Sequence, residues 1–367
     1  MTTLTRMDSL TRIRTIALVV GVIGVLVAII GVITDSATFF QAYLVGFAFV
    51  AEISLGCLFM LMVNYVTGGH WGIPLRSFLK AGAQLIVAMA ILFIPILFGL
   101  PLLYPWARPA TISADPLLQH QSPFLNPVFF VVRAAIYFAV WIFVAWRMTR
   151  PGTPRRTTAI IGLIVHFPLS TLAAIDWFMS LEPHWYSTIY GVLFLAGQAL
   201  TAYTFVLVLL LLLPTPSPEE SEHQTRQDLG NVLLTILITW VYLMFMEFLV
   251  IWAGDLPEET SWYLARGAGG WTFVALLLLV LGVIVPFVLL LSSRIKSRIR
   301  SLALVALLML VAQFVYAYWL ILPAFNPSGA TVNWIALLLP AGICAIWMAA
   351  FTYRLRSLRE GSPTHEV

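Results

Sequence analysis

About ten long apolar runs, separated by short polar segments, fill the chain between Arg14 and Arg356. A helix needs roughly 20 mostly apolar residues to cross a hydrocarbon core of about 30 Å. Runs such as 15–33, 129–146 and 271–291 have that length. Hydrophobic residues make up 61% of the sequence and charged residues only 10%, outside the usual composition of soluble domains. The pattern predicts an all-α polytopic membrane protein.

The boundaries of the runs give ten predicted helices, at 15–34, 41–66, 79–103, 125–148, 158–181, 187–213, 229–252, 270–293, 299–322 and 332–355. If the N-terminus is inside, only Arg108 and Arg266 of the 20 Lys and Arg residues fall in outer loops, while Arg133 falls within a helix. This asymmetry satisfies the positive-inside rule. It predicts a multi-pass membrane protein with both termini in the cytoplasm. The Pro- and Glu-rich segment 214–228 is predicted to be a flexible inner linker.

A weak internal duplication suggests how the helices are grouped. QAYLVG at 41–46 and STIYG at 187–191 each begin a long outside-to-inside helix that three more helices follow. Parallel repeats of this kind are a known route to membrane folds. We therefore expect one integral membrane domain with two four-helix bundles, at 41–181 and 187–322, and flanking helices at 15–34 and 332–355.

Composition and spacing exclude several cofactor classes. Cys57 and Cys344 lie in separate apolar runs, and no Cys-x-x-Cys-His pattern is present. Only His166 is predicted to be embedded in the membrane, whereas a bis-histidine haem needs His on facing helices. No phosphate-binding glycine loop occurs, and the net charge of +4 reflects membrane topology rather than nucleic-acid binding. We expect no cofactor or metal bound by this chain.

Five ionisable residues fall well inside predicted helices, namely Glu52, Arg133, His166, Asp176 and Glu247. A charged side chain in hydrocarbon costs several kcal/mol, so each of them is a candidate functional residue. At about 1.5 Å per residue, Glu52 lies near mid-membrane, His166 about 12 Å from the inner end of its helix and Arg133 about 12 Å from the outer end of its own. Asp176 and Glu247 fall in the outer third.

Two interpretations of these residues stay open. In the structural one, Arg133 neutralises Glu52 and joins the second and fourth helices, Asp176 lies at headgroup level, and His166 is merely hydrogen-bonded. In the functional one, they form a proton or quinol site, since carboxylates and His exchange protons. Pro168 supports the second interpretation, because it removes a backbone donor beside His166.

Further polar residues extend a hypothetical proton path. They are Ser54, Tyr137, Gln198, Tyr203, Gln313 and Tyr316, with Asn64, Gln84 and Lys80 toward the inner side. No acidic member of the candidate set falls in the inner third. The pattern thus favours a half-channel over a complete pore.

The junction of the fifth and sixth helices carries the most specific motif. Residues 176–191 read DWFMSLEPHWYSTIYG, in which Pro183 ends one helix and Ser187 is predicted to cap the next. Two further motifs are TGGHWGIPLR at 67–76 and VPFVLLLSSRIK at 285–296. Together they resemble the F subunit (ActF) family of bacterial alternative complex III, a quinol:electron-acceptor oxidoreductase. The likeness in layout covers nearly the whole chain.

This resemblance implies a place among the NrfD/PsrC-like membrane subunits, with two four-helix bundles plus flanking helices. It implies a non-catalytic, cofactor-free subunit that supports assembly and, as a hypothesis, proton translocation. Haem c and iron–sulfur clusters are then expected in partner subunits, which are multihaem cytochromes, an iron–sulfur subunit and a paralogous quinol-binding membrane subunit. A terminal oxidase is a further candidate partner, and the chain contacts lipid but no nucleic acid.

Two other functions remain open from the sequence. The first is a quinol-binding subunit, which needs an outer pocket lined by Asp176, His166 or Glu52. The second is a secondary transporter with parallel repeats, although Pro168 and Pro286 interrupt different members of the two bundles. The aromatic pairs of the outer loops, such as Trp185-Tyr186 and Trp262-Tyr263, are predicted to form an interfacial belt or a docking surface.

Overall fold

The protein is predominantly helical. The computed structural model describes residues 3–150, 152, 155–213, 219–327, 329, 330 and 333–360. Within these residues there is no β-strand, and ten helices are long and apolar enough to cross a membrane. The predicted all-α polytopic membrane architecture is confirmed.

The ten spans are α1 (Ser9–Thr34), α2 (Ser36–Thr67), α3 (His70–Phe98), α4 (Pro127–Thr149), α5 (Arg155–Leu181), α6 (Tyr190–Leu212), α7 (Gln224–Gly254), α8 (Gly270–Leu291), α9 (Ile299–Ala324) and α10 (Trp334–Glu360). Short helices in the connections are Leu100–Leu103, Pro109–Ala114, Pro116–Gln121, Pro257–Arg266 and Ser293–Ser297. We call the end of the molecule at which α2 and α6 begin the outer end.

Two spans contain breaks in regular helix. In α3 a 3₁₀ turn at His70–Leu75 precedes Arg76–Gln84, and Leu85 separates that helix from Ile86–Phe98. In α8 a π-helical segment, Leu278–Ile284, lies in the middle of the span. π-helical turns are rare and are often found at functional sites.

The helix contacts form two closed groups. Helices α2 to α5 pack in a ring, each against its neighbours in sequence and α5 back against α2. Helices α6 to α9 form a second ring of the same kind. The two rings meet where α2 packs against α6, and α10 packs on both α1 and α2. In the most apolar stretch of each span, 94% of residues are buried in α2 and 83% in α6, against 17% in α8. The α2–α6 contact is therefore the centre of the molecule.

The local structure differs from the sequence prediction at two places. Residues 219–228, expected in a flexible linker, are helical, since one helix runs from Glu219 to Gly254; residues 214–218 lie outside the described part. Ser187 does not cap α6, which begins at Tyr190 after Ile189.

Close approach of α2 and α6 depends on Gly56. A Cβ atom at this position would overlap the backbone carbonyl oxygen of Gln198 and crowd the methyl group of Ala202. Backbone atoms have no rotamer with which to move away, so the helices themselves would have to separate.

We expect Gly56→Ala to lower the free energy of unfolding by about 1–3 kcal/mol, the usual cost of overpacking. A mixed-detergent unfolding titration measures it. Gly254→Ala is the matched control, because its added methyl group would meet only Glu259, at 4.0 Å. Equal stability of the two variants would contradict the close α2–α6 contact.

Candidate functional site

Four of the five candidate residues fall into two groups, and the first group joins α4 to α5 near the outer end. Arg133 Nη2 lies 2.7 Å from Asp176 Oδ1, and Arg133 Nε lies 2.8 Å from Asp176 Oδ2. The Tyr137 hydroxyl donates a third hydrogen bond to Asp176 Oδ2, at 2.8 Å. Arg133 and Asp176 are both buried, at 5% and 0% exposure. The fork-shaped pairing matches the planar guanidinium to the carboxylate.

The remaining polar atoms of this pair are also satisfied. Arg133 Nη1 donates to the Phe124 carbonyl oxygen at 2.7 Å, and the guanidinium lies over the rings of Phe124 and Phe129. Ser180 donates to the backbone carbonyl oxygen of Asp176. The prediction that Arg133 neutralises Glu52 is therefore wrong, because its partner is Asp176. Asp176 lies next to the last residue of its regular helix and is enclosed by protein.

The second group lies at the α2–α6 contact. Thr201 Oγ1 donates to Glu52 Oε2 at 2.8 Å, and Glu52 is 4% exposed. In the described part of the chain, no Lys or Arg forms an ion pair with this carboxyl group. Glu52 is the middle residue of α2, so it lies about 24 Å from either end of that helix. It is a protonatable group with no buried cation beside it.

His166 on α5 is connected to the same face of α6. Its Nε2 atom lies 3.2 Å from Gln198 Oε1 and 3.2 Å from Ser170 Oγ. Gln198 and Thr201 are three residues apart on α6, so the partners of His166 and Glu52 are adjacent on one helix face. The helix of α5 continues through Pro168. Glu52 on α2 and His166 on α5 therefore both contact a short polar strip of α6, which Gln198 and Thr201 form.

Several buried polar atoms around this strip have no hydrogen-bond partner among the described residues. They include His166 Nδ1, Gln198 Nε2 and Trp240 Nε1. A buried donor or acceptor without a partner costs about 1–3 kcal/mol, so such atoms cluster where a protein binds a further polar group.

A small cavity lies between Glu52 and Trp240, and its volume is about 10 Å³, close to the space that a single water requires. A Cβ atom at Gly197 would lie 3.7 Å from Glu52 Oε1 and 3.6 Å from Trp240 Nε1. Gly197 therefore leaves open the space that these two polar atoms face.

Polar groups continue from this cavity toward the outer end. Tyr316, which lines the cavity, lies within electrostatic range of both Glu52 and Glu247. The Tyr263 hydroxyl donates to Glu247 Oε2 at 3.4 Å. Beyond them, Arg266 Nη2 forms a 2.7 Å ion pair with Glu182. The outward series from Glu52 thus passes through the second bundle rather than through Asp176.

Toward the inner end, buried polar side chains become sparse along α2. Asn64 is the next buried polar group of α2 in that direction after Ser54, and it accepts a 3.0 Å hydrogen bond from Arg76. It lies twelve residues, or about 18 Å, from Glu52. Buried side chains between the two include Cys57 and Leu61. Gln84 Oε1 accepts a 2.6 Å hydrogen bond from Arg354 Nε.

Other residues proposed from the sequence have mainly structural contacts. Trp347 donates to Ser54 at 2.9 Å, and Tyr203 donates to the Leu229 carbonyl oxygen at 3.0 Å. Tyr137 belongs to the Asp176 group, as described above. The sequence pattern did not single out Thr201, Ser170, Gly197 or Trp240. Thr201 could have been recognised from the sequence, because it lies three residues after Gln198 and therefore on the same helix face.

The outer-loop aromatics are more enclosed than the sequence suggested. Trp106, Trp185 and Trp262 are buried, and the rings of Trp185 and Trp262 stack with centroids 4.8 Å apart. Tyr186 remains exposed, at 58%. Most of these rings thus pack inside the chain, which leaves only a part of the expected belt or docking surface.

Comparisons with known proteins identify no relative. A scan against models of protein families finds no match to this chain, and a search of curated proteins also finds none. Among the described residues there is no group of three or more His, Cys, Asp and Glu side chains placed to hold a metal ion.

Proposed function

We propose that this chain is a membrane subunit of a bacterial quinol-oxidising respiratory complex of the alternative complex III type. In this proposal it lies in the cytoplasmic membrane with both termini inside. It supports assembly of the complex and carries protons part of the way across the membrane. The observation that carries the proton role is Glu52, a buried mid-membrane carboxyl group whose hydrogen-bond partner is neutral.

Glu52 is suited to take up and release a proton. Burying an ionised carboxylate without a cation costs far more free energy than burying a protonated carboxyl group. The relative free energy of the two protonation states of Glu52 therefore depends strongly on its surroundings. The Thr201 hydroxyl, the unpartnered Trp240 N–H and the small cavity beside Gly197 all lie next to it. Asp176 lacks this property, since it is held in a hydrogen-bonded pair with Arg133.

The outward series of Tyr316, Glu247 and Tyr263 supports a half-channel open toward the outer end. Between Ser54 and Asn64, α2 carries apolar side chains and Cys57, so this helix gives no polar continuation to the inner end. His166, which contacts Gln198 of α6, adds a second protonatable side chain on the first-bundle side of Glu52. A half-channel of this kind moves protons only in concert with a partner or with a change in helix packing.

Partners that carry the redox centres are expected at the outer end. A cavity of about 460 Å³ opens there between the two bundles and is lined by apolar residues together with His184, Glu258 and Glu259. Exposed Tyr186 lies on its rim. This depression gives a partner subunit apolar and aromatic contact area, which is typical of the core of a protein interface.

The quinol-binding alternative requires an outer pocket lined by Asp176, His166 or Glu52, and the structure supports it less well. Asp176 already accepts hydrogen bonds from Arg133 and Tyr137, and His166 and Glu52 are enclosed at the α2–α5–α6 contact.

Purification from native membranes in mild detergent tests the proposal. With an affinity tag on this chain, we expect multihaem cytochromes, an iron–sulfur subunit and a second, related membrane subunit to co-purify. The chain expressed alone is expected to show no haem absorbance. An unrelated tagged membrane protein from the same membranes is the control. Recovery of this chain alone, from membranes whose other respiratory complexes remain intact, would instead indicate a free-standing protein such as a transporter.

A further inference from the structure

A basic cluster lies at the inner end of the second bundle, in the turn between α8 and α9. Its members fall within seven consecutive residues and are Arg294, Lys296, Arg298 and Arg300. The sequence has no Asp or Glu between Glu259 and Glu360. In the described part of the chain, no carboxylate forms an ion pair with any member of the cluster. The turn therefore presents several positive charges that lack an ion-pair partner there.

This turn is held against α7. Lys296 Nζ donates to Asn231 Oδ1 at 2.6 Å, and Arg226 Nε donates to the Ser297 carbonyl oxygen at 2.9 Å. The stem of Lys296 crosses Gly230, where an added Cβ atom would lie 2.6 Å from Lys296 Cγ. The positive-inside rule requires only that basic residues lie on one side of the membrane. It does not require a lysine side chain that crosses a glycine, so tertiary packing sets the position of this turn.

Apolar side chains on the outside of the molecule lie next to the cluster. Val288 and Leu291, in the last turn of α8, are 58% and 59% exposed, and Ile299 at the start of α9 is 43% exposed. Among the ten spans, α8 is the least enclosed, with 17% of its most apolar stretch buried. Arg294 and Arg298, between these apolar residues, are also exposed. The surface thus offers basic groups at the end of a span beside apolar area along it.

We propose that this turn binds the headgroup of an anionic phospholipid, whose acyl chains lie along the exposed side of α8. The guanidinium groups of Arg294 and Arg298 donate hydrogen bonds to the phosphate, which their planar forks match. Lys296 remains on Asn231 and adds positive charge from a fixed position. A zwitterionic phospholipid has no net negative charge, so a cluster of Lys and Arg favours the anionic lipid over it.

The lipid site is separate from the proton path. It lies at the inner end of the second bundle, whereas Glu247 and Tyr263 lie toward the outer end, and it uses no residue around Glu52. Binding requires neither proton movement nor other subunits, so this proposal and the proposed function can fail separately. A free phosphate ion shares the headgroup chemistry, but only a lipid also covers the apolar side chains of α8.

The test measures binding of phosphatidylglycerol to the delipidated full chain in detergent by native mass spectrometry. Phosphatidylcholine with the same acyl chains is the reference lipid. We expect wild type to bind phosphatidylglycerol at least about tenfold more tightly. The double variant Arg294→Gln with Arg298→Gln should bind it about tenfold or more weakly than wild type, because each basic residue near an anionic headgroup contributes about fivefold.

The double variant Arg354→Gln with Arg356→Gln is the matched control. It removes the same charge from the inner end of α10, where Arg354 donates to Gln84 and Arg356 to Glu360. This control should bind phosphatidylglycerol as wild type does. Equal weakening by the two double variants would show a general effect of net charge and would overturn the assignment to the turn between α8 and α9.

Photo-crosslinking of wild type supplies a second test, which requires no variant to fold. The full chain is reconstituted in phosphatidylcholine vesicles that contain phosphatidylglycerol with a diazirine near the start of one acyl chain. Labelling is expected in the segment 288–299. Labelling confined to other segments, or equal binding of the two lipids by wild type, would contradict the proposal. Displacement of phosphatidylglycerol by inorganic phosphate alone would indicate a site for a free anion and would also overturn it.

Discussion

Replacement of Arg133 with methionine is expected to lower the free energy of unfolding by about 3–5 kcal/mol, the usual cost of breaking a buried ion pair on one side. The change leaves the Asp176 carboxylate buried, with only the Tyr137 hydroxyl as a side-chain partner. Neither residue is accessible to water that would replace the guanidinium. The measurement is a mixed-detergent unfolding titration of the purified chain.

The double variant Arg133→Met with Asp176→Leu separates the effect of the buried charge on the free energy of unfolding from the effect of packing. Because two well-packed apolar side chains often replace a buried ion pair without loss, the double variant should recover most of the stability that the single variant loses. A single variant as stable as wild type would show that the pair is not a stabilising contact between α4 and α5. Full assembly and normal turnover of the double variant would also confine this pair to a structural role.

Glu52→Gln is tested in the assembled complex, reconstituted in liposomes. We expect proton movement through this subunit to slow by about 100-fold or more, because a positioned proton-transfer group typically contributes at least that factor to the rate. Glutamine keeps the shape and accepts the Thr201 hydrogen bond, but it cannot release a proton. Quinol oxidation and the proton-to-electron ratio are measured together. The ratio should fall while electron transfer remains.

Gly197→Ala tests the same path without altering a polar group. The added methyl group meets Trp240 Nε1 and Glu52 Oε1 at 3.6 Å and 3.7 Å, which are ordinary contact distances. The variant should therefore fold, while the cavity of about 10 Å³ between these atoms is filled. We expect a lower proton-to-electron ratio, with Gly254→Ala unchanged as control. If Glu52→Gln and Gly197→Ala both keep the wild-type ratio in intact complexes, Glu52 has no part in proton transfer.

The starts of two helices, α7 and α6, could not be predicted from the local sequence pattern. The Pro-, Glu- and Ser-containing segment before α7 suggested a linker, yet the helix begins at Glu219, well before the apolar run. Hydropathy detects the part of a helix in lipid, whereas polar turns that extend beyond it carry no such signal. Ser187 likewise matched a capping residue, but α6 begins three residues later, at Tyr190.

The sequence by itself determined that the chain has about ten helices long and apolar enough to cross a membrane, and which ionisable residues lie within those helices. Length and hydropathy suffice for this, because a spanning helix must satisfy its own backbone and present apolar side chains over a fixed thickness. It also selected Glu52 and His166 as central groups, since depth follows from position along a helix. These are properties of single helices.

Only the tertiary structure decided which of the deep residues meet. Depth gives one coordinate, but the partner of a side chain also depends on the rotation of each helix and on its neighbours, which are set by packing between residues far apart in sequence. Arg133 thus pairs with Asp176 on the adjacent α5, while Glu52 faces α6 and Thr201. The cavity beside Gly197 arises from the same packing, because it is bounded by helices that no local pattern brings together.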